Sequence, residues 1–178
     1  MSTREAWTFD AVLRGLLNGD CTALTPVFVT THGDAHSSAI VRWVSAGAFA
    51  SEPQALTEAL TTACWLGELE VARYLLDLGV DPEAGTGTGM NALHWAANRG
   101  QLAVVELLLS RGVPLETLSR YGGTPLATAE WSARNEPRPD HRRIIAALLR
   151  AGADPRAIAL PTGDDEIDAM LRVALGHA

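Results

Sequence analysis

Between residues 56 and 156 the apolar positions fall at helical spacing and return at a fixed interval. Leu60, Ala63, Val71 and Leu75 recur 33 positions later as Leu93, Ala96, Val104 and Leu108. Leu93 and Ala96 recur again as Leu126 and Ala129, with Gly67/Gly100, Gly79/Gly112 and Gly89/Gly122 punctuating the same period. Self-similarity of this kind is the mark of stacked units, none of which buries its apolar face alone. Within the clearest unit, residues 85–117, Asn91 is placed to cap a short helix carrying Leu93, Ala96 and Ala97 on one face. Gly100 suits the left-handed residue that ends it. A second helix follows, with Leu102, Val104, Val105, Leu107, Leu108 and Leu109, and Gly112 and Pro114 stop it. In the next unit Thr124 takes the cap and Pro125 the first helical position, which its fixed φ and missing N–H suit. The preceding pair is predicted over 56–66 and 69–78, and 85–89, rich in glycine and threonine, is predicted to be the most flexible connection.

Outside this region the pattern is less regular. Helical spacing predicts a helix over 5–18 stopped at Gly19, a shorter one over 23–29 around Pro26, and another over 38–45. The first 54 residues never settle to the 33-residue period and read as degenerate repeats, as expected of an end unit whose outer face meets water. Gly112 and Gly152 are 40 residues apart, so seven residues are inserted. They fall in the stretch 134–140, RNEPRPD, whose two prolines predict a rigid protruding loop. Acidic residues ahead of Ile167, Met170, Leu171 and Val173 predict a closing helix over 164–175.

The run Gly89-Met90-Asn91-Ala92-Leu93-His94-Trp95-Ala96-Ala97-Asn98-Arg99-Gly100 resembles the ankyrin repeat signature Gly-x-Thr-Pro-Leu-His-x-Ala-Ala-x-x-Gly. The next unit keeps Gly122-Gly123-Thr124-Pro125-Leu126 and replaces the histidine with Ala127. The Leu-Leu-x-x-Gly-Ala-Asp ending of the family appears as Leu75 to Asp81 and as Leu148 to Asp154. The resemblance covers about residues 56–156. It implies an all-α solenoid of antiparallel helix pairs joined by short turns or β-hairpin loops. It further implies a single domain: 1–54 degenerate, repeats at 55–84, 85–117 and 118–156, and a capping segment at 157–178. It implies also that His94 hydrogen-bonds to a turn and to neighbouring repeats.

Composition narrows the function classes. Of 178 residues, 47% are apolar and 20% charged, enough for a sizeable core and too apolar for a disordered chain. No run is long enough to cross a membrane and the first ten residues lack a signal-peptide core, so a cytoplasmic protein without a membrane partner is expected. Two cysteines make no disulfide framework, and Cys64 falls at a small inner position. The net charge of −7 makes nucleic acid an unexpected partner. All fourteen cationic residues are arginine, read as a mark of a GC-rich bacterial genome. The cluster Arg134, Arg138, Arg142, Arg143, Arg150 and Arg156 reads as a solvated helix face.

Chemistry is sparse. Phosphate loops, nucleophile elbows and paired-cysteine motifs are missing, and no cofactor is expected. His32, Asp34 and His36 form a metal candidate only if they share a helical face, and Gly33 argues for a loop instead, so no metal is expected. His94, Glu130 and His141 are the acid–base groups of an enzymatic alternative, which with Asp140 requires the inserted loop to fold back over the preceding helix. The stronger feature is aromatic. Trp65 and Trp131 occupy one position in units 66 residues apart and Trp95 lies between them. Together with Met90, Asn98, Arg99, Arg120, Tyr121 and Arg138 they define a candidate partner-binding groove, residue types enriched at binding hot spots. The competing reading is that the tryptophans fill core space, as expected for Trp7 and Trp43. The function expected is a non-enzymatic module that binds a partner protein, in a narrower form an immunity or regulatory protein. The alternative is a small-molecule enzyme or ligand binder built in the aromatic groove.

Overall fold

The structure, a computed structural model, describes residues 7–84 and 89–176. Residues 85–88 of the predicted flexible turn 85–89 and the first residues of the predicted opening helix lie outside the described residues. Among the described residues ten α-helices form: α1 Phe9–Asn18, α2 Thr25–Phe28, α3 Ala39–Ser45, α4 Pro53–Leu66, α5 Leu69–Asp77, α6 Ala92–Asn98, α7 Leu102–Ser110, α8 Pro125–Asn135, α9 His141–Arg150 and α10 Asp165–Ala174. Among the described residues no strand forms, and one isolated bridge pairs Thr31 with Asp34. The architecture is the all-α solenoid: α4, α6 and α8 pack in one row and α5, α7 and α9 in the other, while α1 lies on α4 and α10 on α9.

Local chemistry sets the helix ends. Thr8, Ser38, Asn91 and Thr124 each accept a backbone N–H of the first turn, and Gly19 and Gly67 end α1 and α4 in the left-handed conformation. Asn91 and His94 form a reciprocal capping box. The core is continuous along the stack: Leu60, Leu93 and Leu126 of one row and Leu75, Leu108 and Leu148 of the other are all fully buried.

Two expectations need correction. The inserted residues do not mainly form a protruding loop. α8 runs four residues further than α6 when the two are aligned on the 33-residue period, and the following connection, Glu136 to Asp140, exceeds the one after α6 by two residues. That connection lies against the end of α6. A Cβ placed on Gly100 would come 2.9 Å from the Cβ of Arg138, and the His141 Nε2–H donates to the Asn98 carbonyl at 3.1 Å. Trp7 is also not a core residue, being 39% exposed, whereas Trp43 packs edge-on against Phe9.

Two glycines separate backbone strain from crowding. Gly79 and Gly89 both have positive φ, +83° and +67°, but a Cβ at Gly79 meets open space whereas one at Gly89 would lie 2.9 Å from the backbone nitrogen of Arg120. Gly79→Ala is expected to cost about 1 kcal/mol, the left-handed penalty alone. Gly89→Ala adds displacement of backbone in the adjoining turn and is expected to cost about 2–3 kcal/mol. Equal urea midpoints for the two variants would refute the contrast.

Candidate binding surface

Six of the nine groove residues divide between two cavities, and Arg99, Arg120 and Arg138 line neither. The first, about 610 Å³, lies where the turn after α1 meets α4 and α6; its walls include Asp20, Cys21, Glu58, Thr61, Trp65 and Trp95. The second, about 560 Å³, lies between α6 and α8 and includes Met90, Asn98, Tyr121, Glu130 and Trp131. Trp65 and Trp131 do hold matching helical positions, but the neighbour of α4 on one side is the irregular α1–α2 segment, which supplies a different wall.

In the second cavity Tyr121 and Trp131 are 78% and 48% exposed, so two large aromatic surfaces face water beside a mostly apolar hollow. Asn98 donates its side-chain N–H to the Ser132 hydroxyl at 2.9 Å, tying α6 to α8. Arg120 is exposed on the adjoining turn. Arg99 lies with its guanidinium 4.5 Å from the Trp65 ring centroid and 3.5 Å from the Glu136 carboxylate. It thereby joins the end of α4 to the connection after α8. Arg138 is exposed although its Cβ sits close to Gly100.

His94, Glu130 and His141, the proposed acid–base set, are each engaged by a different partner. The Nε2–H of buried His94 donates to the Gly123 carbonyl at 3.0 Å, and its Nδ1 lies 2.7 Å from the Asn91 side-chain oxygen. Burial holds its pKa below the usual imidazole range, against the opposing pull of the Gly123 and Thr117 carbonyls. His141 accepts from the Arg138 N–H at Nδ1 and donates to Asn98 from Nε2, which sets one neutral tautomer. Burial lowers its pKa as well, and the positive charges of Arg138 and Arg99 add to the shift. Glu130 is paired to Arg134, Nε to Oε1 at 2.5 Å. The connection after α8 does fold back, but His141 is then used to cap the end of α6.

Elsewhere, His32 is exposed at φ +54°, Asp34 accepts from the His36 N–H, and the His36 ring stands edge-on to Tyr74 at 5.3 Å. Among the described residues no three metal-binding side chains are placed to hold an ion. Most arginines of the C-terminal cluster face acids: Arg134 pairs with Glu130, Arg142 with Asp164 and Glu166, Arg143 with Asp140 and Arg156 with Asp154. Among the described residues no helix is long and apolar enough to cross a membrane.

Sequence comparison agrees with this geometry. The family model described as Ankyrin repeats (3 copies) matches residues 60–159, more than half of the chain, which therefore belongs to the ankyrin repeat family. Such repeats are generally protein–protein interaction modules. Similar proteins include the ANK repeat-containing protein nipk-1 of Caenorhabditis elegans, 34% identical over 53% of this chain and 17% of its own length. The mouse Protein fem-1 homolog A-like is 40% identical over 51% of this chain and 13% of its own length. Mouse Ankyrin repeat and SOCS box protein 16 is 34% identical over 47% and 18% respectively. The chain thus spans under a fifth of the length of these relatives. All three come from animals and lend no support to the bacterial origin read from arginine usage.

Proposed function

We propose that this chain is a non-catalytic module that captures a partner protein through the face shared by α6 and α8, with Trp131 and Tyr121 as anchors. The observation that supports this most is the exposure of those two rings, 48% and 78%, beside an apolar hollow of about 560 Å³. An exposed aromatic that gains burial on binding yields a large apolar contribution and loses few rotamers. The charge of Glu130 is already met by Arg134, so the hollow suits an apolar side chain of the partner. Arg120 and Arg138 supply charge at the rim, where it governs encounter more than residence.

The test is capture from a lysate of the source organism by the wild type and by Trp131→Ala/Tyr121→Ala. The double variant is expected to keep its helical content and thermal midpoint within about 0.5 kcal/mol of stability, since both rings are exposed. Its affinity for the captured protein is expected to fall by at least about 2 kcal/mol, roughly thirtyfold. Undiminished capture by a folded double variant would refute the assignment. An inhibitory or immunity role is the narrower form of the reading; it rests on the net charge of −7, which favours a basic partner, and requires that the captured protein lose its activity in the complex. The cavity volume also suits a small ligand, and thermal-shift screening separates that alternative by ligand-dependent stabilisation.

A further inference from the structure

The cavity between the α1–α2 turn, α4 and α6 is chemically unlike the second one. Its two charged lining residues, Asp20 and Glu58, are both acids, and no lysine or arginine lines it. Glu58 is 9% exposed and has no ion-pair partner among the described residues; its surroundings offer only the Thr61 hydroxyl as relief. Burial accordingly raises its pKa above the usual carboxylate range. Cys21 reports the same field. Burial first, then the Glu58 and Asp20 carboxylates, push its thiol upward, although Thr62 lies within hydrogen-bonding distance at 3.4 Å. The C-terminal end of α1, at Asn18 and Gly19, adds partial negative charge to the rim. The opposite wall carries two indoles, Trp65 and Trp95. One of them already stacks a guanidinium, because Arg99 lies over Trp65 while standing outside the cavity lining.

A desolvated carboxylate, a second acid at the mouth and two aromatic walls together complement one chemical group, a planar organic cation. We propose that this cavity is a binding pocket for an arginine side chain presented by a partner protein, the guanidinium meeting Glu58 and Asp20 and lying against Trp65 and Trp95. Arginine fits better than a compact ammonium, since its planar fork matches a carboxylate and its face matches an indole. The inference rests on the partner-binding reading for the source of the arginine, but it concerns a different cavity and is tested without the partner.

The probe is a short blocked peptide, Gly-Arg-Gly, compared with the same peptide carrying citrulline, the neutral isostere. Both are titrated into the full chain while the five indole N–H resonances are followed by NMR, with Trp65→Phe and Trp95→Phe used for assignment. The arginine peptide is expected to shift the Trp65 and Trp95 signals saturably and the citrulline peptide to leave them in place. Glu58→Gln is expected to weaken binding at least tenfold without lowering the thermal midpoint, because it removes a buried charge that lacks a cation. Asp20→Asn, on an exposed turn, is a second variant and is expected to weaken binding by a smaller factor and to make it less salt-sensitive. Trp131→Ala is expected to bind the peptide as wild type does, whatever it does to partner capture. Equal shifts with citrulline, unchanged affinity in Glu58→Gln, or loss of peptide binding in Trp131→Ala would each overturn the proposal.

Discussion

Acidification from about pH 7.5 to about pH 5 is expected to lower the unfolding free energy, with most of the loss below pH 6.5. The cause is two imidazoles, His94 and His141, whose exposures are 0% and 1%. Both have folded-state pKa values pushed below the ordinary histidine value, chiefly by burial. As pH falls through 6.5 the unfolded chain takes up both protons ahead of the folded chain. Stability is therefore present above the unfolded pKa and is lost as pH falls toward the folded one. Each proton bound only by the unfolded state contributes a slope of at most about 1.4 kcal/mol per pH unit. Glu58 works the other way: its raised pKa lets the folded chain hold a proton that the unfolded one has released, so near the acid end of this range it offsets part of the loss. Asp164 and Asp168, whose pKa values are lowered by their hydrogen-bond partners, lose their contribution as pH falls from the ordinary carboxylate value toward the lowered one, chiefly on the acid side of this window. Urea unfolding at half-unit pH steps measures the slope directly. A flat profile between pH 6.5 and 5 would show that the two histidines charge as readily in the folded chain as outside it.

Those two histidines show what the sequence carried and what it did not. His94 stands inside a motif, and the resemblance implied its bond across a turn; the structure supplies the acceptor, Gly123 of the next unit. His141 stands in no motif. Its bond to Asn98 requires the connection after α8 to return to the end of α6, a tertiary fact that spacing does not encode. The extension of α8 was readable in part. A residue before proline is disfavoured in the helical region, so Pro137 barred Glu136 from the helix but nothing barred Ser132, Ala133, Arg134 or Asn135. Glu136 indeed has left the helix, at φ −137° and ψ 60°. Periodicity also placed Trp65 and Trp131 in equivalent positions, but equivalence along a helix does not make a common cavity. The wall facing Trp65 comes from the α1–α2 turn, in the region where the repeat pattern is lost, and so the division of the surface was invisible before the fold.

Leu93→Ala is expected to cost about 2–5 kcal/mol and to destabilise the whole stack, whereas the chemically identical Leu171→Ala is expected to act locally. Both side chains are fully buried, so the lost transfer energy is alike. Their neighbours differ. Leu93 belongs to α6, which packs against α4, α7 and α8, and the units on either side draw their stability from those interfaces. In a stack of this kind stability is a sum of unit and nearest-neighbour terms, so loosening the middle unit removes two interfaces at once. Leu171 belongs to α10, which docks on α9 with Arg142 reaching Asp164 at 2.7 Å and Glu166 at 3.1 Å. Loosening α10 removes one interface at an end and leaves the α4–α6–α8 row in place. Hydrogen exchange read segment by segment distinguishes the two outcomes, since local opening and global unfolding expose different amides. Leu93→Ala is expected to speed exchange in α4 to α9 together, and Leu171→Ala in α10 with α6 and α7 still protected. If Leu171→Ala instead accelerates α6 and α7 as much as Leu93→Ala does, the chain unfolds as one indivisible unit and its repeats do not act as nearest-neighbour elements.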